Sequence, residues 1–457
     1  MKLSVPIAIG MAFQTLYYLV DLYFVGQLGD AAVAGLTSAG NLQFLIMAVT
    51  QILGVGTMAL IAQASGRKDR ADANLIFNQS LGQAALGAVG TVVFGYWLAR
   101  PDMLTLGADA ATVEAGTTYL YWFLPGLGLQ FALISMGSAL RGTGIVNPTI
   151  VVQVSTVVLN AILSPIMIAG WLTGRPMGLA GAGLSTTISV AVAVLMMLVY
   201  FVRLERYVVF DFGMLRPHWD TWKRILAVGL PPGGEFALIF VYMAVIYWTT
   251  RDFGPAAQAG FGVGSRVMQA IFLPAIAIAF ATAPVAGQNF GAGRYGRVRQ
   301  TYRSSVTTLS ALMLILTLLC QWRPDLLIAG FSDDPAVIGV GEDFLRIISW
   351  NFVATGIVFT NSSMFQAMGN TLPALLASAT RIMTFAVPAV WFTTLPSFEL
   401  RHLWYLSVAT VALDTQHSEL QVELVVDDDQ VRRILDAVSA DELAEVCDGK
   451  DNDCDGQ

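Results

Sequence analysis

The sequence predicts an all-α integral membrane protein made of two parallel six-helix bundles, and three observations carry this. Of its 457 residues 55% are hydrophobic and only 12% charged, with a mean hydropathy of +0.64, against about 25% charged in soluble domains. Apolar runs of roughly 20 residues recur, enough for a helix to cross about 30 Å of hydrocarbon while pairing its own backbone groups. Long runs without alternation exclude a β-barrel. The third observation is an internal repeat at an offset of 225 residues: Pro6 matches Pro231, Gly29 matches Gly254, Gln63 and Gly66 match Gln288 and Gly291, and Ser138, Gly144 and Pro148 match Ser363, Gly369 and Pro373. A duplicated hydrophobic unit suggests two bundles facing each other across a central site.

The first apolar run, 4–25, follows Lys2 as a cleaved leader would, but it is long, contains Asp21 and recurs at 229–250. It reads as a retained first helix. Further helices are predicted over 40–64, 75–98, 115–138, 148–170 and 181–202, then 226–249, 259–287, 302–322, 341–364 and 373–395. A twelfth begins near 403, yet only Leu403 to Leu413 is apolar before Asp414. Eleven residues rise about 16 Å, half a bilayer, so the twelfth helix is expected to be truncated or replaced. The organisation is therefore an N-terminal bundle over 1–202, a linker over 203–224, a C-terminal bundle over 225–413 with a short last helix, and a disordered acidic tail over 414–457.

The formal charge of −7 belongs to the tail, where 14 acidic residues face 3 basic ones; the first 413 residues carry 22 basic and 18 acidic side chains. With the N-terminus inside, inner loops hold 14 Lys or Arg, among them Arg67, Arg141, Arg203 and Arg294, and outer loops hold five, at 100, 175, 251, 323 and 401. This fits the positive-inside rule and puts the N-terminus in the cytoplasm. Six helices per half make the repeat parallel, with its pseudo-twofold axis along the membrane normal.

Polar groups within spans are costly and locate function. Gln14, Tyr17, Tyr18 and Asp21 fall at i, i+3, i+4 and i+7 on one helix face, an arrangement suited to a proton-carrying carboxylate; the alternative is that Asp21 wets an outer vestibule. Glu235 does not align with Asp21, whose counterpart is Ile246. It shares a face with Tyr242 and reads either as a second coupling or substrate-binding acid or as an interfacial glutamate near a helix start. Asn160 is placed to reach Asp21 if their helices adjoin. Arg266, Arg346 and Arg381 also fall inside helices, where each snorkels, lines a wet cleft or pairs with an acid such as Glu342 or Asp343. Pro6 and Pro231 are candidate hinges.

With the duplicated unit, Asp21 fifteen residues after Pro6, the Val25-Gly26-x-Leu28-Gly29 turn, Ala62-Gln63-x-x-Gly66 and Pro284-x-x-Gly287-Gln288-Asn289-x-Gly291, the chain resembles the multidrug and toxic compound extrusion family over roughly 3–413. The resemblance implies export of organic, often cationic and aromatic, compounds against an inward H⁺ or Na⁺ gradient by alternating access, with Asp21 as the coupling carboxylate. The family's fifth-helix Asn and Asp read here Asn160 and Ser164. Without the second carboxylate a hard cation loses a charged ligand, which favours H⁺. The resemblance also makes Glu235 a candidate for the essential glutamate that some members place on helix seven, at a position after the proline that varies among them. The expected setting is a bacterial inner membrane, with the chain a monomer among lipids that binds small organic substrates.

Competing readings are a flippase for a lipid-linked saccharide, whose relatives resemble fourteen-helix chains, and a transport-deficient variant because of the altered ending. His218, His402 and His417 are the only histidines and none falls in the core of a predicted helix, so an intramembrane enzyme, a catalytic metal or a haem has no ligands. No phosphate-binding loop for ATP appears, and neither a cofactor nor nucleic acid is expected. In the tail, Asp451, Asp453 and Asp455 with Gly456 have the opening spacing of a calcium loop, without its closing acid, and Cys447 and Cys454 flank them. If the last helix failed to span, this segment would lie outside.

Overall fold

The computed structural model describes residues 23–106, 109–331 and 334–426, and their regular structure is entirely helical, with no strand among them. Residues 23–26 are helical and end at the Gly29 turn. The first half continues with α1 (Asp30–Arg67), α2 (Arg70–Leu106), α3 (Ala110–Thr143), α4 (Asn147–Ile168) and α5 (Leu179–Arg203). The second half comprises α6 (Trp219–Thr250), α7 (Pro255–Gly291), α8 (Tyr295–Trp322), the short α9 (Pro324–Ala329), α10 (Pro335–Ile348), α11 (Phe352–Met368), α12 (Leu372–Phe392) and α13 (Leu400–Val426). Nine of these helices are long and apolar enough to cross a membrane.

The repeat is visible in the element boundaries. Shifting α3 by 225 residues gives the limits of α10 and α11 together, a single span interrupted by a 3₁₀ turn at Ser349–Asn351. In the first half α3 packs on α1, α2 and α5, and α4 on α5; in the second the α10–α11 span packs on α7, α8 and α13, and α12 on α13. Two lobes with the same wiring result. One core gathers residues of α1 to α5, such as Phe77, Phe123 and Phe201, and another gathers Phe261, Phe352, Phe385 and Trp404.

Equivalent helices end alike. α3 and α11 both close on a left-handed glycine, Gly144 at φ 87° and Gly369 at φ 76°. The Ile145 and Gly144 amides bond Leu140 and Arg141, and those of Asn370 and Gly369 bond Phe365 and Gln366, the C-terminal pattern glycine permits.

The last helix departs from the expectation of an eleven-residue stub. α13 runs 27 residues, about 40 Å at 1.5 Å per residue, and Val422 packs with Ala286, Val298, Tyr302 and Met368 in a core at the end of the molecule where α7 finishes. The helix therefore has full length, and its far end returns to the arginine-bearing side. Its polar residues misled hydropathy because they turn inward: Asp414, Thr415 and Ser418 are buried, and the Asn361 amide donates to the Ser418 hydroxyl at 2.8 Å.

The linker is also more structured than a polar tether. α6 begins at Trp219, inside the expected linker, and residues 207–218 lie along α2. Asn74 and Asn78, one helical turn apart, bond the backbone of Tyr207, Val209 and Asp211, while Gln79 accepts from the His218 amide at 2.8 Å and the Trp222 indole at 2.6 Å. Arg224 grips Asp72 with both terminal nitrogens, at 3.1 and 3.2 Å.

Candidate functional site

Gln14, Tyr17, Asp21 and Pro6 lie outside the described residues, as do Asp451, Asp453 and Asp455. No metal-holding group of His, Cys, Asp or Glu occurs among those described. The remaining first-half candidates, Asn160 and Ser164, are buried one turn apart on α4. Ser164 donates to Asn160 at 3.4 Å and stands 3.3 Å from the Ser185 hydroxyl, and Asn160 donates to Thr186 at 3.5 Å. Among the described residues, the result is a small cluster of neutral polar groups between α4 and α5.

In the second half Glu235 sits midway along the 32-residue α6, not at a helix start. That removes the interfacial-dipole explanation, since sixteen residues of helix precede it. Ser362 of α11 donates to its Oε2 at 3.4 Å, while Oε1 is shielded without a hydrogen-bond partner among the described residues. Tyr242, two turns on, shares a hydrogen bond with Ser407 of α13 at 3.0 Å and packs on Phe385. Sequence reasoning missed Asp414, taken there as the end of the apolar run: its side chain is 1% exposed and lies 3.8 Å from the Arg381 guanidinium. The other intrahelical arginines resolve differently. Arg346 pairs with Glu342 at 2.7 Å, Asp343 pairs instead with Arg401 at 2.8 Å, and Arg266 is exposed.

The lobes meet at the arginine-bearing end through a reciprocal clasp. Gln63 of α1 donates to the Ala367 carbonyl of α11 at 2.9 Å, and Gln288 of α7 donates to the Gly142 carbonyl of α3 at 2.8 Å. Donors and acceptors are both related by the 225-residue offset. Each accepting carbonyl belongs to a helix's last turn, where no intrahelical amide remains to pair with it, so each lobe caps a helix of the other. Gly66 and Gly291 make this approach feasible: a Cβ on Gly66 would collide with the Gln288 carbonyl, and one on Gly291 with the Gln63 carbonyl.

α6 bridges the lobes along its length. Ile225 and Val228 belong to the first lobe's core, Ile246 to the second's, and Pro231-Pro232-Gly233-Gly234 lies between.

The MatE family model matches residues 6–166 and 231–392, the two copies of the repeat. The chain belongs to the MatE family. It is 26% identical over 394 residues to a probable multidrug resistance protein of Bacillus subtilis, YpnP, covering 86% of each chain. It is 24% identical to the multidrug export protein MepA of Staphylococcus saprophyticus, covering 81% of each. Among solved structures, one described as an outward-facing conformation of a multidrug resistance MATE family transporter superposes with a TM-score of 0.86 at 24% identity, covering 93% of this chain and 94% of that one. A second, described as MATE in the bent conformation, gives 0.87 at the same identity and coverage. At this identity the likeness speaks for the fold. This MatE chain is thus a multi-pass membrane protein of the family's two-bundle architecture, and the residues that family motifs do not announce are Asp414 and Arg381. Their signal in the sequence was Asp414, Thr415 and Ser418 on one helical face, read as a breakdown of hydropathy.

Proposed function

We propose that this protein is a secondary efflux transporter that exports organic, often cationic and aromatic, compounds across a bacterial inner membrane in exchange for H⁺, with the arginine-bearing face in the cytoplasm. Membership of a transporter family and the printed functions of its relatives, multidrug resistance and multidrug export, support the activity. The observation that carries the mechanism is the reciprocal Gln63–Ala367 and Gln288–Gly142 clasp, which closes the cytoplasmic end by contacts that two moving lobes can make and break as a unit. In this reading the described conformation is shut toward the cytoplasm.

Asp21, carried over from the family motif, supplies the coupling carboxylate of the first lobe, with Gln14, Tyr17, Asn160 and Ser164 tuning it. Ser164 in the place of an acid leaves neutral oxygens around Asn160, which suits H⁺ better than Na⁺. Glu235 and Tyr242 supply the second lobe's polar site. Deprotonated, these acids attract a cationic substrate; protonation from outside weakens that attraction and favours release. Pro6 and Pro231 are the bending points. Asp21→Asn is expected to abolish ΔpH-driven uptake of a fluorescent organic cation into inside-out vesicles while insertion is unchanged, and undiminished uptake would overturn the assignment.

A further inference from the structure

The segment that joins the lobes carries a surface used neither by a core nor by the clasp. From the end of α5 to the first turns of α6, Arg203, Arg206, Arg216 and Lys223 are exposed, and among the described residues their side chains form no ion pair. Between them stand large apolar side chains that are also exposed: Leu204 at 67%, Phe212 at 78% and Trp219 at 67%. The acids nearby are mostly engaged elsewhere. Glu205 is buried and accepts from the Arg206 and Tyr207 amides at 3.1 and 2.9 Å, Asp211 accepts from the Gly213 amide at 2.8 Å, and Asp72 takes Arg67 and Arg224. Asp220 is the one other acid within 203–224.

This exposure is held in place by the fold. Arg70 donates to the carbonyls of Arg206 and Tyr207, the latter at 3.0 Å, and Gln79 donates to the Arg216 carbonyl at 2.7 Å, beside the bonds from Asn74 and Asn78. Phe212 packs edge-on against Phe210 at 4.7 Å, and Trp219 against Trp222 at 5.3 Å. The grip is not inherited from the duplicated frame: at the 225-residue offset Arg70, Asn74, Asn78 and Gln79 become Tyr295, Arg299, Arg303 and Ser304. α2 is itself peripheral, since only 11% of its apolar window is buried inside the protein, the smallest share among the described candidate spans. The linker therefore lies on the perimeter, along the turns of α2 where polar sequence gives way to the apolar run, which is the level of the lipid headgroups.

We propose that this linker is a binding site for anionic phospholipid, in which Arg203, Arg206, Arg216 and Lys223 hold phosphate-bearing headgroups while Leu204, Phe212 and Trp219 lie among the first acyl carbons. Guanidinium and ammonium groups bind phosphate oxygens through charge-assisted hydrogen bonds, and aromatic rings favour the same interfacial depth. Water would satisfy the cations but leave three large apolar side chains wet. A zwitterionic lipid covers those side chains but brings a cation of its own beside the arginines. An anionic lipid answers both needs. Because α6 starts in the same segment and Arg224 ties it to α2, bound lipid holds the first lobe and the root of the connecting helix at one depth. The site depends neither on the coupling ion nor on the direction of transport.

The test uses full-length protein and needs no transport. Purified protein is equilibrated with equal amounts of dioleoyl phosphatidylglycerol and dioleoyl phosphatidylcholine in detergent, and the retained lipids are counted by native mass spectrometry. Wild type is expected to retain phosphatidylglycerol about fivefold over phosphatidylcholine. The variant Arg203→Gln/Arg206→Gln/Arg216→Gln/Lys223→Gln should lose that preference, and a control that removes four other exposed cations of the same end, Lys68→Gln/Arg294→Gln/Arg297→Gln/Arg303→Gln, should keep it. In nanodiscs, an environment-sensitive fluorophore on Phe212→Cys in a chain without its native cysteines should be quenched about twice as strongly by brominated phosphatidylglycerol as by brominated phosphatidylcholine. Soluble glycerol phosphate should not compete, because it brings no acyl chain. Equal retention of the two lipids by wild type, a preference that survives the linker variant or falls equally in the control, or full competition by glycerol phosphate would overturn the proposal. So would a Phe212 position that neither lipid quenches, the result expected if protein covers the linker instead.

Discussion

Replacing the two clasp glutamines tests whether the closure at the arginine-bearing end, cytoplasmic in the proposed orientation, is a symmetric device. Gln63→Leu and Gln288→Leu each keep side-chain bulk but delete a donor to a helix-end carbonyl of the other lobe, at 2.9 and 2.8 Å respectively. A net contribution of about 1 kcal/mol per bond, or nearer 0.6 for bonds between membrane helices, shifts the closed-to-open balance about three- to fivefold for each single variant. If the two bonds are independent, the double variant shifts it about eight- to thirtyfold. Ala62 provides the reporter, since it is fully buried against Gly287 across the lobe interface. In a chain whose three native cysteines have been replaced, an Ala62→Cys thiol should react with an impermeant maleimide in inside-out vesicles in proportion to the open population. The two single variants are expected to accelerate labelling equally, and the double by the product of their effects. Unchanged labelling in the double variant, or one glutamine accounting for the whole effect, would refute the reciprocal-clasp reasoning.

Two further outcomes follow from local geometry. Gly291→Val places side-chain atoms against the Gln63 carbonyl, so the clasp end cannot close: transport should be lost with insertion retained, and the Ala62→Cys reporter should label at its maximal rate. Near-normal transport would show that the approach of α7 to α1 is not needed. Asp109, outside the spans, caps α3 by accepting from the Thr112 amide at 2.7 Å, and these hydrogen bonds hold its carboxyl below the usual range. A lowered folded pKa contributes stability that is fully present above the unfolded value of about 3.9 and fades as pH falls through the folded one; the thermal-stability advantage of wild type over Asp109→Asn should therefore be constant near neutrality and vanish in strong acid, and an advantage that persists there would contradict the cap assignment.

The repeat was legible because glycine, proline and alanine mark fixed backbone events, and those events recur at 225 residues. α3 and the α10–α11 span coincide in their limits under that shift. Helix ends were less legible, since apolarity reports the hydrocarbon and not the helix: the run predicted at 75–98 belongs to α2, Arg70–Leu106, whose polar first turns include Asn74 and Asn78, the residues that bind the linker. The same effect hid α13. A span packed against other helices can direct Asp414, Thr415 and Ser418 inward, and a hydropathy window cannot tell an inward polar face from a broken helix. Gln63 and Gln288 were visible as motif residues, but their role was not. Their partners are backbone carbonyls, which leave no complementary side chain in the sequence to find.

The deepest break with symmetry is in α6. Its first turns are tied to the first lobe by the Arg224–Asp72 pair and by Ile225 and Val228 in that lobe's core, while Ile246 and Tyr242 are packed with the second lobe. If the lobes rock as bodies, the bend has to fall between Val228 and Ile246, and the sequence there is Pro231-Pro232-Gly233-Gly234. Proline has no amide to return to the carbonyl four residues back, so Pro232 frees the carbonyl of Val228. That carbonyl is not left bare: Thr371, the residue preceding α12, donates its hydroxyl to it at 2.7 Å. The point of weakness in α6 is thus held by the second lobe's own side chain, next to Glu235 in sequence. Glu235 therefore lies within one helical turn of the place where the connecting helix is easiest to bend, so under the proposed proton coupling a change of its charge is expected to bias the angle between the two lobes.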